Sequence, residues 1–233
     1  MSCHNYLAYP FEKYAESEVR FNYLPRVKDS YFKVEGLYLN HPSHKWERFD
    51  HISDGHGGTE VYKVRDILSE EISALKIIPK SAVKKRYRRD MIKMEVGSQM
   101  DIASYSLKDP VGASYLCQMK SFWETDDLVL ILMEYCSGNT MGDESWEYKN
   151  NAMDESHAKI IMKKLVIGLQ TLWKVGYCHR DIKASNMIVR QVYGKNGAVD
   201  YDVKWIDFGF AWPVDRLSTN FPGTTPYKSP ELI

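Results

Sequence analysis

The chain has 233 residues and a formal net charge of zero, so it is long enough for one large domain or for two small lobes that share a cleft. Its hydrophobic share of 44% and charged share of 27% are those of a globular protein, which excludes disordered and fibrous classes. Zero net charge provides no general attraction to polyanions or anionic surfaces, so we expect neither nucleic acid nor a membrane as a partner.

The four cysteines, Cys3, Cys117, Cys136 and Cys178, are widely separated and form no CxxC pair. This spacing argues against a zinc site and a disulfide framework, and it is typical of a reducing compartment. The first residues lack the hydrophobic core of a signal peptide, and the longest apolar run, residues 128–133, is too short to span a bilayer. We therefore expect an intracellular protein, in the cytoplasm or alternatively in the nucleus.

Residues 1–45 carry many aromatic side chains but no clear period, and short β-like runs begin at Trp46. The glycines of residues 53–64 fit either an ordinary hairpin turn or a loop whose backbone N–H groups approach phosphate oxygens. Residues 72–78 have the pattern of an interior strand. That strand places Lys76 among apolar neighbours, where a cation needs a partner.

A helix is predicted over residues 84–102, with Glu95 near its middle. Its basic start, residues 84–89, fits a nuclear-import or nucleic-acid patch or, as we prefer, a solvated helix face. Residues 115–122 and 128–133 are predicted to form a pair of strands.

A second helix is predicted to begin after the N-cap Asp154 and to end at Gly176. Its apolar residues recur at helical spacing and are expected to face the core: Ala158, Ile161, Met162, Leu165, Leu169, Leu172 and Trp173.

The run 187–189 looks like a strand, and after it residues 191–193, 194–197 and 199–203 are predicted to form a lengthened hairpin with Asn196-Gly197 as its turn. Asn186 precedes its first strand, and Asp207 follows its second. Because a hairpin keeps its strands paired whatever its length, we expect these two residues to lie close together.

The residues from His179 to Asn186 include an acid, two cations and an amide, and Asp207-Phe208-Gly209 follows later in the chain. An Asp, a Lys, an Asn and a second Asp in this order are the groups needed to hold Mg²⁺ and a phosphoryl group beside a hydroxyl. The alternative, a loop whose Asp caps a helix and whose Lys is solvated, leaves the rest of the ordered set unexplained.

From about Trp46 to its end, the chain resembles a eukaryotic protein kinase of the serine/threonine type. The motifs are the glycine segment, the strand lysine, the helix glutamate, a hinge-like segment at residues 134–138, the catalytic loop, the Asp-Phe-Gly triplet and Ser229-Pro230-Glu231. The resemblance implies an α+β, two-lobed protein-kinase-like fold, with a small antiparallel β-sheet lobe and a truncated, mainly helical lobe. It implies an extension at 1–45, an N-lobe with hinge at 46–136, and a partial C-lobe at 137–233 that ends just after the activation segment.

By this resemblance, ATP and Mg²⁺ are the expected cofactors, and a protein is the expected substrate. Asp181 would orient the substrate hydroxyl, Lys183 would stabilise the γ-phosphate, and Asn186 and Asp207 would bind Mg²⁺. The nucleotide site would be formed by Gly55, Gly58, Val61, Ala74, Lys76, Glu95, Met133, Glu134, Cys136 and Asp207.

The resemblance also implies regulatory and docking residues. Arg180, next to the catalytic aspartate, suggests control by a phosphate on the following loop, with Ser218 and Thr219 as candidate sites. Thr224 and Glu231 would belong to the substrate-docking segment, and Lys183 together with Gly223-Thr224 favours Ser/Thr over Tyr substrates.

Two departures from the family pattern leave other functions open. Ser53 stands where the pattern has its first glycine, and the loop carries an extra residue. Ser229-Pro230-Glu231 resembles the family's Ala-Pro-Glu motif, and the helices that follow this motif in the family are lacking here. A pseudokinase, a scaffolding module or an inactive truncated kinase is therefore an alternative, and a small-molecule kinase of related fold is a less favoured one. The sequence indicates no particular oligomeric state.

Overall fold

A computed structural model of the chain describes residues 37–38, 45–55, 58–66, 68–80, 86–124, 128–143, 153–218 and 222–230. They divide between two compact units. The first unit holds the described residues up to Lys93 together with Met119–Tyr135, and the second holds Met94–Gln118 and the described residues from Cys136 onward. No helix within these described ranges is both long and apolar enough to cross a membrane.

The first unit is built on a six-stranded antiparallel sheet with the strand order β1-β2-β3-β4-β6-β5. Its strands are β1 Leu37–Tyr38, β2 Lys45–Asp54, β3 Glu60–Asp66, β4 Ile72–Pro79, β5 Met119–Glu124 and β6 Leu128–Glu134. The expectation of an antiparallel sheet in this part of the chain is therefore confirmed.

Paired residues on neighbouring strands form the core of this sheet. Tyr62, Leu75 and Leu132 are opposite one another on β3, β4 and β6, and each is buried. Leu130 and Ile131 point to opposite faces of β6, yet both are completely buried. Burial on both faces explains why the β6 sequence is continuously apolar rather than alternating.

Helix α1 covers Arg86–Tyr105 and so continues beyond its predicted end at residue 102; residues 84 and 85 of the prediction lie outside the described ranges. The boundary between the two units falls within α1, between Lys93 and Met94. The short helix α2, Pro110–Ala113, is capped by Asp109, whose carboxylate accepts the Gly112 N–H at 2.8 Å.

Helix α3 covers Glu155–Val175 and has both predicted caps. Asp154 accepts the backbone N–H of Ser156 at 2.8 Å, and Gly176 ends the helix in a left-handed conformation.

The predicted core face of α3 is only partly correct. Ile161, Leu165 and Leu172 are buried, whereas Met162 and Trp173 are 52% and 63% exposed. Met162 and Trp173 each follow a buried residue directly, and one residue turns the helix by about 100°. Their side chains therefore lie beside the buried stripe rather than within it.

The hairpin of strands β9 (Met187–Tyr193) and β10 (Val199–Trp205) confirms the predicted connection, with Asn196-Gly197 in its turn. A two-residue strand, β7 Asn139–Thr140, pairs with β9, and β8 Tyr177–Cys178 pairs with β11 Trp212–Pro213. The strand predicted over 115–122 begins only at Met119. The backbone of Tyr115 and Cys117 forms hydrogen bonds with the backbone of Trp205 instead, and all three residues belong to the second unit.

Candidate active site

The segment that leaves β8 is fixed to the open end of the hairpin by a buried imidazole. His179 is 2% exposed, and its Nε2 lies 3.1 Å from the carbonyl oxygen of Ile206. Burial lowers the pKa of His179, although the Ile206 carbonyl and the nearby carboxylates oppose this. The ring is therefore neutral at physiological pH, with the proton on Nε2 facing the carbonyl and Nδ1 facing the Asp181 N–H at 3.4 Å.

Asp181 is the centre of a compact polar network in the second unit. Its Oδ1 accepts hydrogen bonds from the backbone N–H and the hydroxyl of Thr224, at 3.0 and 2.9 Å. Its Oδ2 accepts one from Asn186 Nδ2 at 3.0 Å and lies 2.9 Å from Lys183 Nζ. A carboxylate has about four acceptor positions, so the chain itself uses all of them.

This network keeps Asp181 ionised although the residue is only 3% exposed. Burial alone would raise the pKa of Asp181, but hydrogen bonds from Lys183, Thr224 and Asn186, together with the lysine charge, outweigh it and lower the pKa. Lys183 also donates to the Thr224 hydroxyl at 3.1 Å, which joins the cation to the same group.

The hairpin brings Asn186 to the residue that precedes Asp207. The Ile206 N–H donates to the Asn186 carbonyl oxygen at 3.0 Å, directly beyond the last β9–β10 pair. The predicted proximity of Asn186 and Asp207 is explained by this register. Asp207 is exposed and has a φ of 60°, a strained value for a residue with a side chain.

The carboxylates of Asp207 and Glu95 both lie near Gly209. A Cβ on Gly209 would lie 3.2 Å from Asp207 Oδ1 and 3.5 Å from Glu95 Oε2. Glu95 is only 4% exposed, so burial removes most of the hydration of its carboxylate.

Arg180 contacts the loop after residue 209. Its Nε donates to the Phe210 carbonyl and its Nη1 to the Ser218 hydroxyl, both at 2.8 Å, and its guanidinium lies over the Trp212 ring. Thr219 and Glu231, which the sequence also singles out, lie outside the described residues.

In the first unit, four predicted nucleotide residues share one face of the sheet. Val61 is paired with Lys76, and Ala74 is paired with Met133. Because paired residues point to the same side and side chains alternate along a strand, these four lie together. Glu134 ends β6, and the boundary between the units follows Tyr135, directly before Cys136.

The predicted glycine loop joins β2 to β3. The Gly55 N–H donates to the Thr59 carbonyl oxygen at 2.7 Å, and Asp54 is paired with Glu60. Gly58 is exposed at the end of this connection, whose residues 56 and 57 are outside the described ranges.

Gly223, which the sequence singles out only as part of Gly223-Thr224, sets the position of Thr224. Gly223 has a φ of 113°, and a Cβ there would lie only 2.8 Å from the Arg180 carbonyl oxygen. A glycine is therefore required both by its backbone conformation and by space. The only sequence signal was the Gly-Thr dipeptide itself, because its contact with residue 180 is distant along the chain.

A family model described as the protein kinase domain matches residues 46–233. The chain is also 30% identical over 203 residues to the probable serine/threonine-protein kinase fnkE of Dictyostelium discoideum, covering 83% of this chain and 14% of the relative. It is 27% identical over 183 residues to serine/threonine-protein kinase PLK1 of Xenopus tropicalis, covering 77% of this chain and 27% of the relative.

Serine/threonine-protein kinase 1 of Arabidopsis thaliana is 28% identical over 195 residues, with 82% of this chain and 21% of the relative covered. The chain thus spans less than a third of the length of these curated relatives. Since the family model matches most of its residues, the chain belongs to the protein kinase domain family.

Proposed function

We propose that this protein transfers the γ-phosphoryl group of ATP to serine or threonine hydroxyls of protein substrates, with Mg²⁺ as cofactor. The observation that carries the proposal is the ionised Asp181, held by Lys183, Asn186 and Thr224. These residues would provide a proton acceptor, a phosphate-binding cation and a metal ligand within one hydrogen-bonded group.

In this proposal, Asp181 orients the substrate hydroxyl and accepts its proton. Its lowered pKa keeps it ionised for that task. All its acceptor positions are used by the chain, so the hydroxyl would replace one of the present donors. Lys183 would stabilise charge on the transferred group, and Thr224 would belong to the docking segment with Glu231.

Asn186 and Asp207 are the proposed Mg²⁺ ligands. Asn186 Nδ2 donates to the main-chain oxygen and to Oδ2 of Asp181, which fixes the orientation of the amide. Its remaining atom, Oδ1, and the exposed Asp207 carboxylate are oxygen donors of the kind that Mg²⁺ prefers. When bound there, Mg²⁺ would neutralise phosphate charge during transfer.

The proposed nucleotide site joins a phosphate-binding part to an adenine-binding part. Lys76 would hold the α- and β-phosphates, with Glu95 as its ionic partner. The other proposed members are Gly55, Gly58, Val61, Ala74, Met133, Glu134 and Cys136.

Regulation by phosphorylation is proposed at Ser218 or Thr219 through Arg180. The 2.8 Å contact from Arg180 to Ser218 supports the first of these sites. We retain the predicted lobes, 46–136 and 137–233, and an intracellular location as parts of the same proposal.

The decisive experiment measures Mg²⁺–ATP binding by calorimetry and then phosphate transfer to a generic Ser/Thr protein substrate. We expect both for the wild-type chain, and we expect Asp181→Asn to bind nucleotide but to lose transfer by at least about a hundredfold. Absence of nucleotide binding would refute the enzyme proposal.

A pseudokinase or scaffolding role is the alternative, and the five-residue connection between Asp54 and Glu60 is the observation that favours it. A longer glycine loop is expected to hold phosphates less tightly. Nucleotide binding without transfer, in a chain whose Asp181→Asn variant behaves like wild type, would support this alternative.

A further inference from the structure

A third cation lies beside the Asp181 network. Lys228 follows a 3₁₀ turn, Thr225–Tyr227, and its N–H donates to the Thr225 carbonyl oxygen at 3.2 Å. This turn folds the chain back, so that the half-buried Lys228 side chain returns towards Gly223.

A hypothetical Cβ on Gly223 locates the Lys228 side chain relative to Asp181, the proposed base. A Cβ on Gly223 would lie 3.7 Å from Lys228 Cε and 3.9 Å from Asp181 Oδ1. The lysine side chain and the carboxylate oxygen that binds Thr224 therefore border the same small region.

Two other cations lie at this place. Lys183 pairs with Asp181 at 2.9 Å, and the guanidinium of Arg180 contacts Phe210, Ser218 and Trp212. Lys228 adds a positive charge next to the place where a substrate hydroxyl would meet Asp181. A lysine ammonium on its flexible stem attracts carboxylates as a mobile point charge.

We propose that Lys228 is a specificity-determining residue that selects protein substrates with an acidic residue, Asp or Glu, close to the accepting Ser or Thr. This inference rests on the proposed function, because it concerns the substrate of that same site. A carboxylate near the hydroxyl gains the attraction of Lys228, whereas a lysine or arginine there is repelled.

The test uses peptides with one Ser acceptor and alanine elsewhere, into which a single Glu or a single Lys is placed at each flanking position in turn. The ratio of kcat/KM for the best Glu peptide to that for the alanine peptide is expected to exceed unity by about three- to tenfold. The gain should be expressed mainly in KM and should weaken at high salt.

Variants then assign the preference to Lys228. Lys228→Met is expected to bring the ratio close to unity, Lys228→Arg to retain it, and Lys228→Glu to reverse it in favour of Lys peptides. Lys195→Met removes an exposed lysine from the hairpin turn and serves as the matched control, whose ratio should equal that of wild type. An unchanged ratio in Lys228→Met, or equal kcat/KM for acidic and neutral peptides, would overturn the inference.

A binding measurement separates this inference from the proposed function. Fluorescence anisotropy of labelled peptides with alanine in place of Ser reports recognition without transfer. Tighter binding of Glu peptides than of Lys peptides without any transfer would refute the proposed function and leave the acidic preference standing. Transfer without any charge preference, in binding or in rate, would refute the inference alone.

Discussion

The Nε2 atom of His179 lies 3.1 Å from the Ile206 carbonyl oxygen and thereby joins the segment that follows β8 to the residue that precedes Asp207. The ring also packs against Trp205 and Phe208, with centroid distances of 5.3 and 5.4 Å. This side chain therefore connects the segments that carry Asp181 and Asp207, whose spacing the proposed chemistry requires to be constant.

The burial of His179 predicts a loss of stability in mild acid. Burial lowers the pKa of His179 below its ordinary 6.5, so the unfolded chain binds a proton that the folded chain does not. As pH falls through 6.5, the free energy of unfolding should decrease by at most about 1.4 kcal/mol per pH unit from this residue. Urea titrations across this range measure the slope.

The control for this prediction is His179→Gln, which has a side-chain N–H for the Ile206 carbonyl but no titration in this range. The change of its free energy of unfolding with pH should be smaller than that of wild type. Equal slopes in the two proteins would show that His179 is not the residue responsible.

The strands, helices and order of motifs could be predicted because they depend on local patterns. The α3 caps at Asp154 and Gly176 and the turn at Asn196-Gly197 follow from single-residue preferences. The two hydrogen bonds from Thr224 to Asp181 could not be predicted in the same way, because they join segments about forty residues apart.

The sequence pattern also could not predict which apolar residues of α3 are exposed. The helical period of α3 includes Met162 and Trp173 among its apolar positions, but it does not say how wide a stripe the neighbouring strands cover. That width is set by β8 and β10, whose place beside α3 is a tertiary property.

Removal of the Lys183 charge should destabilise the chain in a pH-dependent manner. Lys183→Met leaves Asp181 buried without its cation, at a cost of about 1–3 kcal/mol near neutral pH. The pKa of Asp181 lies below its ordinary 3.8, so its stabilising contribution is present above 3.8 and is lost as pH falls through the folded-state value. The difference in the free energy of unfolding between Lys183→Met and wild type, measured by urea denaturation, should therefore become smaller in acid.

The companion variant is Asp181→Asn, in which Lys183 has no carboxylate to pair with. Adding Lys183→Met to Asp181→Asn should lower the free energy of unfolding clearly less than adding Lys183→Met to wild type, since the two side chains act as one unit. Purely additive costs would mean that the 2.9 Å ion pair does not contribute to stability.

Substitution of Gly223 should lower the rate of phosphoryl transfer by more than its loss of stability alone explains. In Gly223→Ala, the new Cβ would lie 2.8 Å from the Arg180 carbonyl oxygen, so the chain must shift and Thr224 must leave Asp181. We expect at least about a tenfold loss of kcat. Gly197→Ala is the matched control, because Gly197 also has a positive φ, 75°, but has open space around it.

Both glycine variants should lose about 1 kcal/mol or more of stability from backbone strain. Only Gly223→Ala should lose transfer when both are assayed well below their melting temperatures. Comparable kcat values for the two variants would contradict a positioning role for Gly223.

Phosphorylation of Ser218 should order the loop after Gly209. A phosphate there would meet the Arg180 guanidinium, which already donates to the Ser218 hydroxyl at 2.8 Å. Phosphatase treatment should lower the activity of the modified protein, and Ser218→Ala should lower it to the same level and abolish the response. Ser114→Ala, at an exposed serine, is the control. Phosphopeptide mapping of active protein that finds neither Ser218 nor Thr219 modified would remove this prediction.

The proposed Mg²⁺ ligands predict a change in metal dependence rather than a simple loss of activity. Asp207→Asn removes the negative charge of a proposed metal ligand and should raise the Mg²⁺ concentration needed for half-maximal ATP binding by about tenfold or more. Calorimetric titrations of ATP at several Mg²⁺ concentrations measure this shift. Asp202→Asn, at an exposed carboxylate in the hairpin that pairs with Arg190, provides the control for loss of a negative charge. A metal requirement that is unchanged in Asp207→Asn, or shifted equally in both variants, would exclude Asp207 as a ligand.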